Sequence, residues 1–297
     1  MTKPLFKYES IAELTDEANR SGRKISDLVL EDQSLSPELQ NVSVYQKMKD
    51  YYRDMQNSVR EGRRADLKSI SGLTGGEAHR MDESIQSGST LTGSFLAGAI
   101  CRALAVSGLN AAMGRIVASP TAGSCGILPA AVITMQEEKK ISEDDCIMSL
   151  FTASAVGMVI SKKATLAGAE GGCQAECGSA SAMAAAAVTE LAGGTPDMIS
   201  NAIAISLKCC LGLVCDPVAG LVEVPCIKRN ASGVTNAFTA AEMALAGITS
   251  AIPADEVIDA MKQIGNLLPV SLKETAGGGL AATPTGRRLQ KEIFGKE

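Results

Sequence analysis

A chain of 297 residues with 45% hydrophobic side chains can bury a sizeable core, either as one large domain or as two small ones. Lys and Arg number 28 against 33 Asp and Glu, a net charge of −5, and no basic stripe interleaved with aromatics occurs, which argues against nucleic acid as a partner. Trp is absent and aromatics make up only 3%, so the core must be packed with Ala, Leu, Ile, Val and Met, which let helices approach closely. An all-α fold is expected.

Residues 1–44 are polar and carry the short patterns IAELTDEANRSG and ISDLVLEDQSLS, with Ser and Thr at plausible helix caps. They read as an N-terminal arm or small helical appendage. The opening MTKPLFKYES has no apolar signal core, and Arg102 interrupts the apolar stretch from Phe95 to Val106 short of a membrane span. No membrane association and a cytoplasmic location are therefore expected. Between Ser43 and Arg64, Val44, Tyr45, Met48, Tyr52 and Met55 approximate one helical face, after which Gly72, Gly75 and Gly76 in ISGLTGGEAHRM favour a loop. Four apolar segments, 91–108, 143–161, 177–192 and 197–208, have the lengths of helices, and further helices are expected at 234–247 and 254–267. The last of these should end near Asn266 or Pro269, with Gly277, Gly278 and Gly279 a flexible link to a short terminal helix. Without a repeat or a low-complexity linker, residues 45–297 read as a single helical domain.

Cys173, Cys215 and Cys226 each lie in a turn-like motif rich in Gly or Pro: GAEGGCQAECGSA, GLVCDPVAG and VEVPCIKRN. In a chain expected to stay in a reducing compartment, such cysteines suit a reduced metal ligand better than half of a disulfide. Cys173 precedes GSASAMAAAAVTEL, whose N-terminal amides and dipole would face an anionic group. Asp216-Pro217 after Cys215 and Pro225 before Cys226 supply turns that would fix the direction of each thiol. On residue chemistry alone, ordinary buried cysteines are an equal reading, and Cys173 with Cys177, four apart, could share a helical face as a zinc pair. Glu170, Glu176, Asp216 and Asn230 flank these cysteines and could orient thiolates or substrate, or serve only as caps and turn formers.

The segment SPTAGSCGILPA, Ser119 to Ala130, offers backbone N–H groups around Gly123 and the hydroxyls of Ser119, Thr121 and Ser124 to a carboxylate, ahead of a helix opening near Pro129. A tight connection between two helices is the competing reading. His79 is the only histidine, and its ordinary role is that of a solvated or core residue, with proton transfer the less common one. Lys162, Lys163 and Lys228 do not stand in the setting of a pyridoxal phosphate lysine.

The three cysteine motifs and their separations resemble the α chain of the iron-sulfur L-serine dehydratases. The resemblance runs from about Tyr45 through SPTAGSCGILPA to GGLAATPTGRRL, Gly278 to Leu289. It implies that Cys173, Cys215 and Cys226 bind a 4Fe-4S cluster and leave one iron without a protein thiolate. It implies that Ser119, Thr121, Gly123 and Ser124 take the substrate carboxylate, and that L-serine is deaminated to pyruvate and ammonia with the open iron as Lewis acid. The family has an apolar residue at the position of Cys177, which assigns it to the core, as Cys101, Cys125, Cys146, Cys209 and Cys210 are assigned. The family's proton-abstracting histidine belongs to a Gly-His-Gly-Thr motif of the β portion, and this chain has none. A separate β chain in a hetero-oligomer is thus expected to supply the general base. Single-chain relatives end in a cysteine that caps the iron, whereas this chain ends IFGKE, so either no such cap exists here or the β chain provides it, and an uncapped cluster is expected to be oxygen-sensitive. A cysteine desulfidase on the same scaffold and a non-catalytic subunit holding structural zinc are the alternatives.

Overall fold

The computed structural model describes residues 6–35 and 43–295. Among these residues there are thirteen α-helices and no β-strand, an all-α fold as the Ala-rich, aromatic-poor composition implies. In chain order they are α1 (Ile11–Ser21), α2 (Ile25–Ser34), α3 (Val44–Gly62), α4 (Glu77–Gln86), α5 (Gly93–Ala111), α6 (Ile127–Lys139), α7 (Glu143–Lys163), the single turn α8 (Gly168–Gly171), α9 (Ser179–Leu191), α10 (Pro196–Lys208), α11 (Cys226–Leu245), α12 (Ala254–Leu267) and α13 (Pro284–Phe294). Many of the starts are legible in local chemistry. Ser10, Ser43, Ser142, Thr195 and Thr283 each accept a hydrogen bond from the amide three residues on, and Pro196 and Pro284 occupy first-turn positions where no amide hydrogen is needed. Helix α7 also places Glu143, Asp144 and Asp145 in its first turn and Lys162 and Lys163 in its last, matching the helix dipole at both ends.

Helix α9 is the centre of the molecule. Every residue from Ser179 to Glu190 is buried, as expected of a helix that is apolar all round. It packs against α6, α7, α10 and α11, and α5 extends the bundle by packing on α3, α4, α6 and α11. Small residues set the spacing at several crossings. A Cβ on Gly62 of α3 would lie 2.0 Å from the Ala105 carbonyl oxygen of α5, and one on Gly126 would lie 2.5 Å from the Ala103 carbonyl oxygen.

The described part of residues 1–44 is docked on this bundle. Phe6, Tyr8, Ile11, Leu14, Ile25, Leu28 and Val29 are buried in the main core. The Asp255 carboxylate caps α1 by accepting from the Ile11 and Ala12 amides at 3.0 Å each, and Lys162 donates to the Phe6 and Tyr8 carbonyls at 2.7 and 3.0 Å. The rest of the 1–44 segment, and the last two residues of the IFGKE ending, lie outside the described residues.

Several boundaries differ from the sequence expectation. The loop read at ISGLTGGEAHRM ends at Gly76, whose φ of 71° closes it, and α4 begins at Glu77. Helix α11 starts at Cys226, well before residue 234, because Asn230, Ser232 and Gly233 hide its apolar face from a periodicity count. The apolar stretch around Arg102 belongs to a 19-residue helix, so α5 and α7 are both long and apolar enough to cross a membrane by length and composition. Half of the α5 window and two thirds of that of α7 are nevertheless buried inside the bundle, and the buried Arg102 pairs with Glu137 and Glu138 of α6.

The helix spacing can be tested at two glycines. Gly62→Ala should destabilise the protein by roughly 1–3 kcal/mol, because the new methyl meets a backbone carbonyl that cannot move alone. Gly108→Ala places its Cβ 3.6 Å from Leu67 Cδ2, an ordinary contact, and should stabilise by about 0.5–1 kcal/mol through helix propensity. Urea midpoints of the two variants should therefore move in opposite directions.

Candidate active site

Cys173, Cys215 and Cys226 are brought together from three separate segments and are 3%, 4% and 9% exposed. Cys173 caps a five-residue π-turn, Gln174–Gly178, that runs directly into α9, so its thiol stands at the head of the central helix. Cys226 is the first residue of α11, a helical position, where the sequence had suggested a turn after Pro225. Cys215 lies in extended backbone paired with Lys273: its amide donates to the Leu272 carbonyl at 2.9 Å, and the Glu274 amide donates to its carbonyl at 2.8 Å.

The segment that pairs with Cys215 leads into Gly277, Gly278 and Gly279, expected to be a flexible link, and that link is pinned at Gly279 and Leu280. Asp216 accepts from the Leu280 amide at 2.8 Å and from the Arg229 guanidinium at 2.9 Å. Gly279, at φ 57°, sits so close that a Cβ there would lie 2.3 Å from Asp216 Oδ2. Glu274 and Ala276 both adopt positive φ, at 63° and 54°, conformations that cost non-glycine residues of order 1–3 kcal/mol and concentrate at functional sites. Arg229 also donates to the Val214 carbonyl at 2.8 Å, joining α11 to the Cys215 turn from below.

The Ser119 to Ala130 loop arrives against the same thiols. Thr121 Oγ1 donates to Glu176 Oε1 at 2.7 Å, and Glu176 Oε2 is 4.0 Å from Cys215 Sγ. Asn230 bonds the loop to α11: its amide nitrogen donates to the Gly123 and Cys226 carbonyls at 2.8 and 2.9 Å, and its oxygen accepts from the Gly126 amide at 2.8 Å. Of the four flanking polar residues, Glu176, Asp216 and Asn230 thus belong to this network, whereas Glu170 accepts from Thr165 Oγ1 at 2.6 Å at its edge. Ser124 is buried and hydrogen-bonded to Thr121 at 3.1 Å, and Ser119 is buried with its hydroxyl directed to the Val117 carbonyl at 3.5 Å.

Burial dominates the electrostatics. It pushes the Cys226 thiol up to about 12 and raises Cys215 further above the usual thiol range, in both cases helped by neighbouring Cys173. Cys173 is the exception, held below the usual range by a hydrogen bond from Cys177 and by the Arg229 charge, against the effect of burial. Cys177, expected to be a plain core residue, is buried yet bonded to Cys173, which keeps it protonated. Burial raises Glu176 as well. Cys125 is fully buried inside its loop, and burial pushes it up to about 12, while Cys209 is exposed.

His79 lies on α4 with 41% of its side chain exposed and pairs with Glu83 at 3.5 Å. Lys162, Lys163 and Lys228 are engaged in ion pairs with Glu9, Asp255 and Asp259, and Glu77. Among the described residues, no three His, Cys, Asp or Glu side chains converge on the space of a single metal ion.

Residues 20–281 match the family described as serine dehydratase alpha chain. The chain belongs to the serine dehydratase alpha-chain family. It is 49% identical over 288 residues to the probable L-serine dehydratase, alpha chain, of Bacillus subtilis (strain 168), covering 97% of this chain and 96% of that protein. Identity to the L-serine dehydratase, alpha chain, of Peptoniphilus asaccharolyticus is 44% over 282 residues, covering 95% and 97%. The L-serine dehydratase of Streptomyces coelicolor is 46% identical over 181 residues, which span 60% of this chain but 40% of that longer protein. As a serine dehydratase alpha chain, the protein has a helical fold whose cysteine motifs and Ser119 to Ala130 loop are tied into one region by Glu176 and Asn230.

Asn230 offers a direct test of that tie. Asn230→Asp keeps the shape but cannot donate to the Gly123 and Cys226 carbonyls and sets a buried carboxylate against both. It should cost about 2–4 kcal/mol in urea unfolding, more than Asn230→Ser.

Proposed function

We propose that this chain is the α subunit of a cytoplasmic 4Fe-4S L-serine dehydratase that converts L-serine to pyruvate and ammonia together with a β chain. The observation that carries the reading is the convergence of Cys173, Cys215 and Cys226 with the Thr121 loop around Glu176. The donor set suits the cluster: three buried, unpaired thiols, two at helix N-termini, with no histidine among them. A glycine at 168 supports the fit, since a Cβ there would lie 3.2 Å from Cys215 Sγ and close the space in front of the thiol. Thiolates bound to metal ions need a cation to ionise, and the raised Cys215 and Cys226 thiols would release their protons on binding it.

When bound, the cluster supplies Lewis-acid chemistry at the serine hydroxyl through an iron without a protein thiolate. The chain's own residues would bind and orient the amino acid. The loop amides around Gly123 and the Thr121 hydroxyl would take the carboxylate, the fully buried Ser124 would support Thr121 from behind at 3.1 Å, and Asn230 holds that loop in register with Cys226. Ser119 is assigned to the same loop as a supporting hydroxyl. Burial of the thiols excludes water from their surroundings, which strengthens each polar contact to the substrate. Removal of the Cα proton is assigned to a base on the β chain, since His79 points to Glu83 on the outer side of α4.

Anaerobic co-expression with the β chain should give four irons and four sulfides per complex and pyruvate from L-serine. Cys215→Ala should lose iron and activity together. Pyruvate from L-cysteine but not L-serine would convert the reading to a desulfidase, and one zinc per chain without sulfide would overturn the cluster. Air exposure should bleach the complex and abolish turnover.

A further inference from the structure

Glu176 is half-buried, and among the described residues no cation answers its charge. Its carboxylate accepts from Thr121 Oγ1 at 2.7 Å and, at the longer distance of 4.0 Å, from the Cys215 thiol, and among the described residues its charged neighbour is another acid, Glu274. Three other acids around the site, Asp216, Glu77 and Glu223, are each provided for. Asp216 has Arg229 and the Leu280 amide, Glu77 has Lys228 at 2.8 Å, and Glu223 accepts from the Ser71 and Thr74 hydroxyls at 2.7 and 3.2 Å. Arg229, the cation nearest the thiols, is already spent on Asp216 and the Val214 carbonyl. An iron-sulfur core held by three thiolates would still be anionic and would not neutralise Glu176.

The backbone is shaped to keep this carboxylate where it is. The π-turn Gln174–Gly178 sets Glu176 at the head of α9, and such turns recur at functional sites. Two glycines make room on either side: a Cβ on Gly168 would lie 2.5 Å from Oε2, and one on Gly123 would lie 3.2 Å from Oε1. A half-buried carboxylate with one hydroxyl, a distant thiol and no cation keeps most of its acceptor capacity free, and a site that holds one beside the Cys215 thiol is complementary to a cation brought from outside. L-serine carries one. Its carboxylate and hydroxyl are already assigned, and its α-ammonium is the polar group still lacking a partner.

We propose that Glu176 receives the α-ammonium of the substrate and so selects α-amino acids over carboxylic acids that lack the amine. The proposal rests on the substrate placement given under Proposed function. The carboxylate would lie between the Thr121 loop, which takes the substrate carboxylate, and Cys215, which borders the metal, so that one ligand meets all three.

The test uses the anaerobic complex with its β chain and compares equilibrium binding of L-alanine, which keeps the ammonium but has no hydroxyl to lose, with that of propionate, which lacks the ammonium. The parent complex should bind L-alanine at least tenfold more tightly than propionate. Glu176→Gln should erase that difference, leave propionate binding within about twofold, and raise the KM for L-serine at least tenfold with iron and sulfide content unchanged. Should the glutamine variant lose iron, Glu176→Asp, which keeps the charge, should retain the preference for L-alanine. Equal weakening of both ligands, or an undiminished preference in Glu176→Gln, overturns the assignment. A parent complex that turns over L-serine while failing these outcomes overturns Glu176 alone, whereas a parent inert to L-serine overturns the serine reading and this proposal with it.

Discussion

The structure depends on one packing constraint: a helix, α9, that is buried on every side. Such a helix can exist only if its side chains are small, because each neighbour must come close enough to exclude water. The sequence SASAMAAAAVTEL meets that demand. Most of its polar side chains find partners, Ser179 Oγ excepted, with Ser181 donating to the Gly233 carbonyl at 2.7 Å and accepting from Ser206 at 3.0 Å. The carboxylate of Glu190 accepts from Thr152 Oγ1 at 2.8 Å and the Ser26 amide at 3.3 Å. A helix clamped by four neighbours has no freedom to slide, so the residues at its head, Cys173 and Glu176, are fixed by the whole core.

The other parts of the site are fixed by hydrogen bonds between distant segments. Asn230 joins the loop at 123–126 to the start of α11, and Asp216 joins the Cys215 turn to α11 through Arg229 and to residue 280 through its amide. Each link satisfies backbone groups that burial would otherwise leave unpaired. The positive φ angles of Glu274 and Ala276 persist because the Cys215 pairing and the Asp216 contact hold the chain on both sides of them. The result is a cluster with more acids and thiols than cations, which suits a metal centre and an amino acid bearing its own positive charge.

Much of this was legible before any coordinates. Chain composition pointed to an all-α core, and six of the long helices lie within a few residues of their expected spans. The exception was α11, because polar residues that work inside the site, Asn230 among them, interrupt the apolar period that a helix count relies on. The same ambiguity concealed the roles of Glu176 and Asn230, since a carboxylate or an amide beside a cysteine motif is equally at home as a cap. Cys177 was assigned to the core because the family it resembles has an apolar residue there, and only the π-turn reveals that its thiol meets Cys173.

Local chemistry by itself therefore determined the helical class, the caps that start many of the helices and the three cysteine motifs that mark the site. These depend on residue type and short-range spacing, which a linear chain displays in full. Tertiary structure alone decided which of the flanking polar residues face the thiols, that the glycine-rich segment at 277–279 is pinned against Asp216, and that Glu176 is left without a cation. Those facts depend on which segments meet across long stretches of chain, and the close approach of helices around α9 settles that.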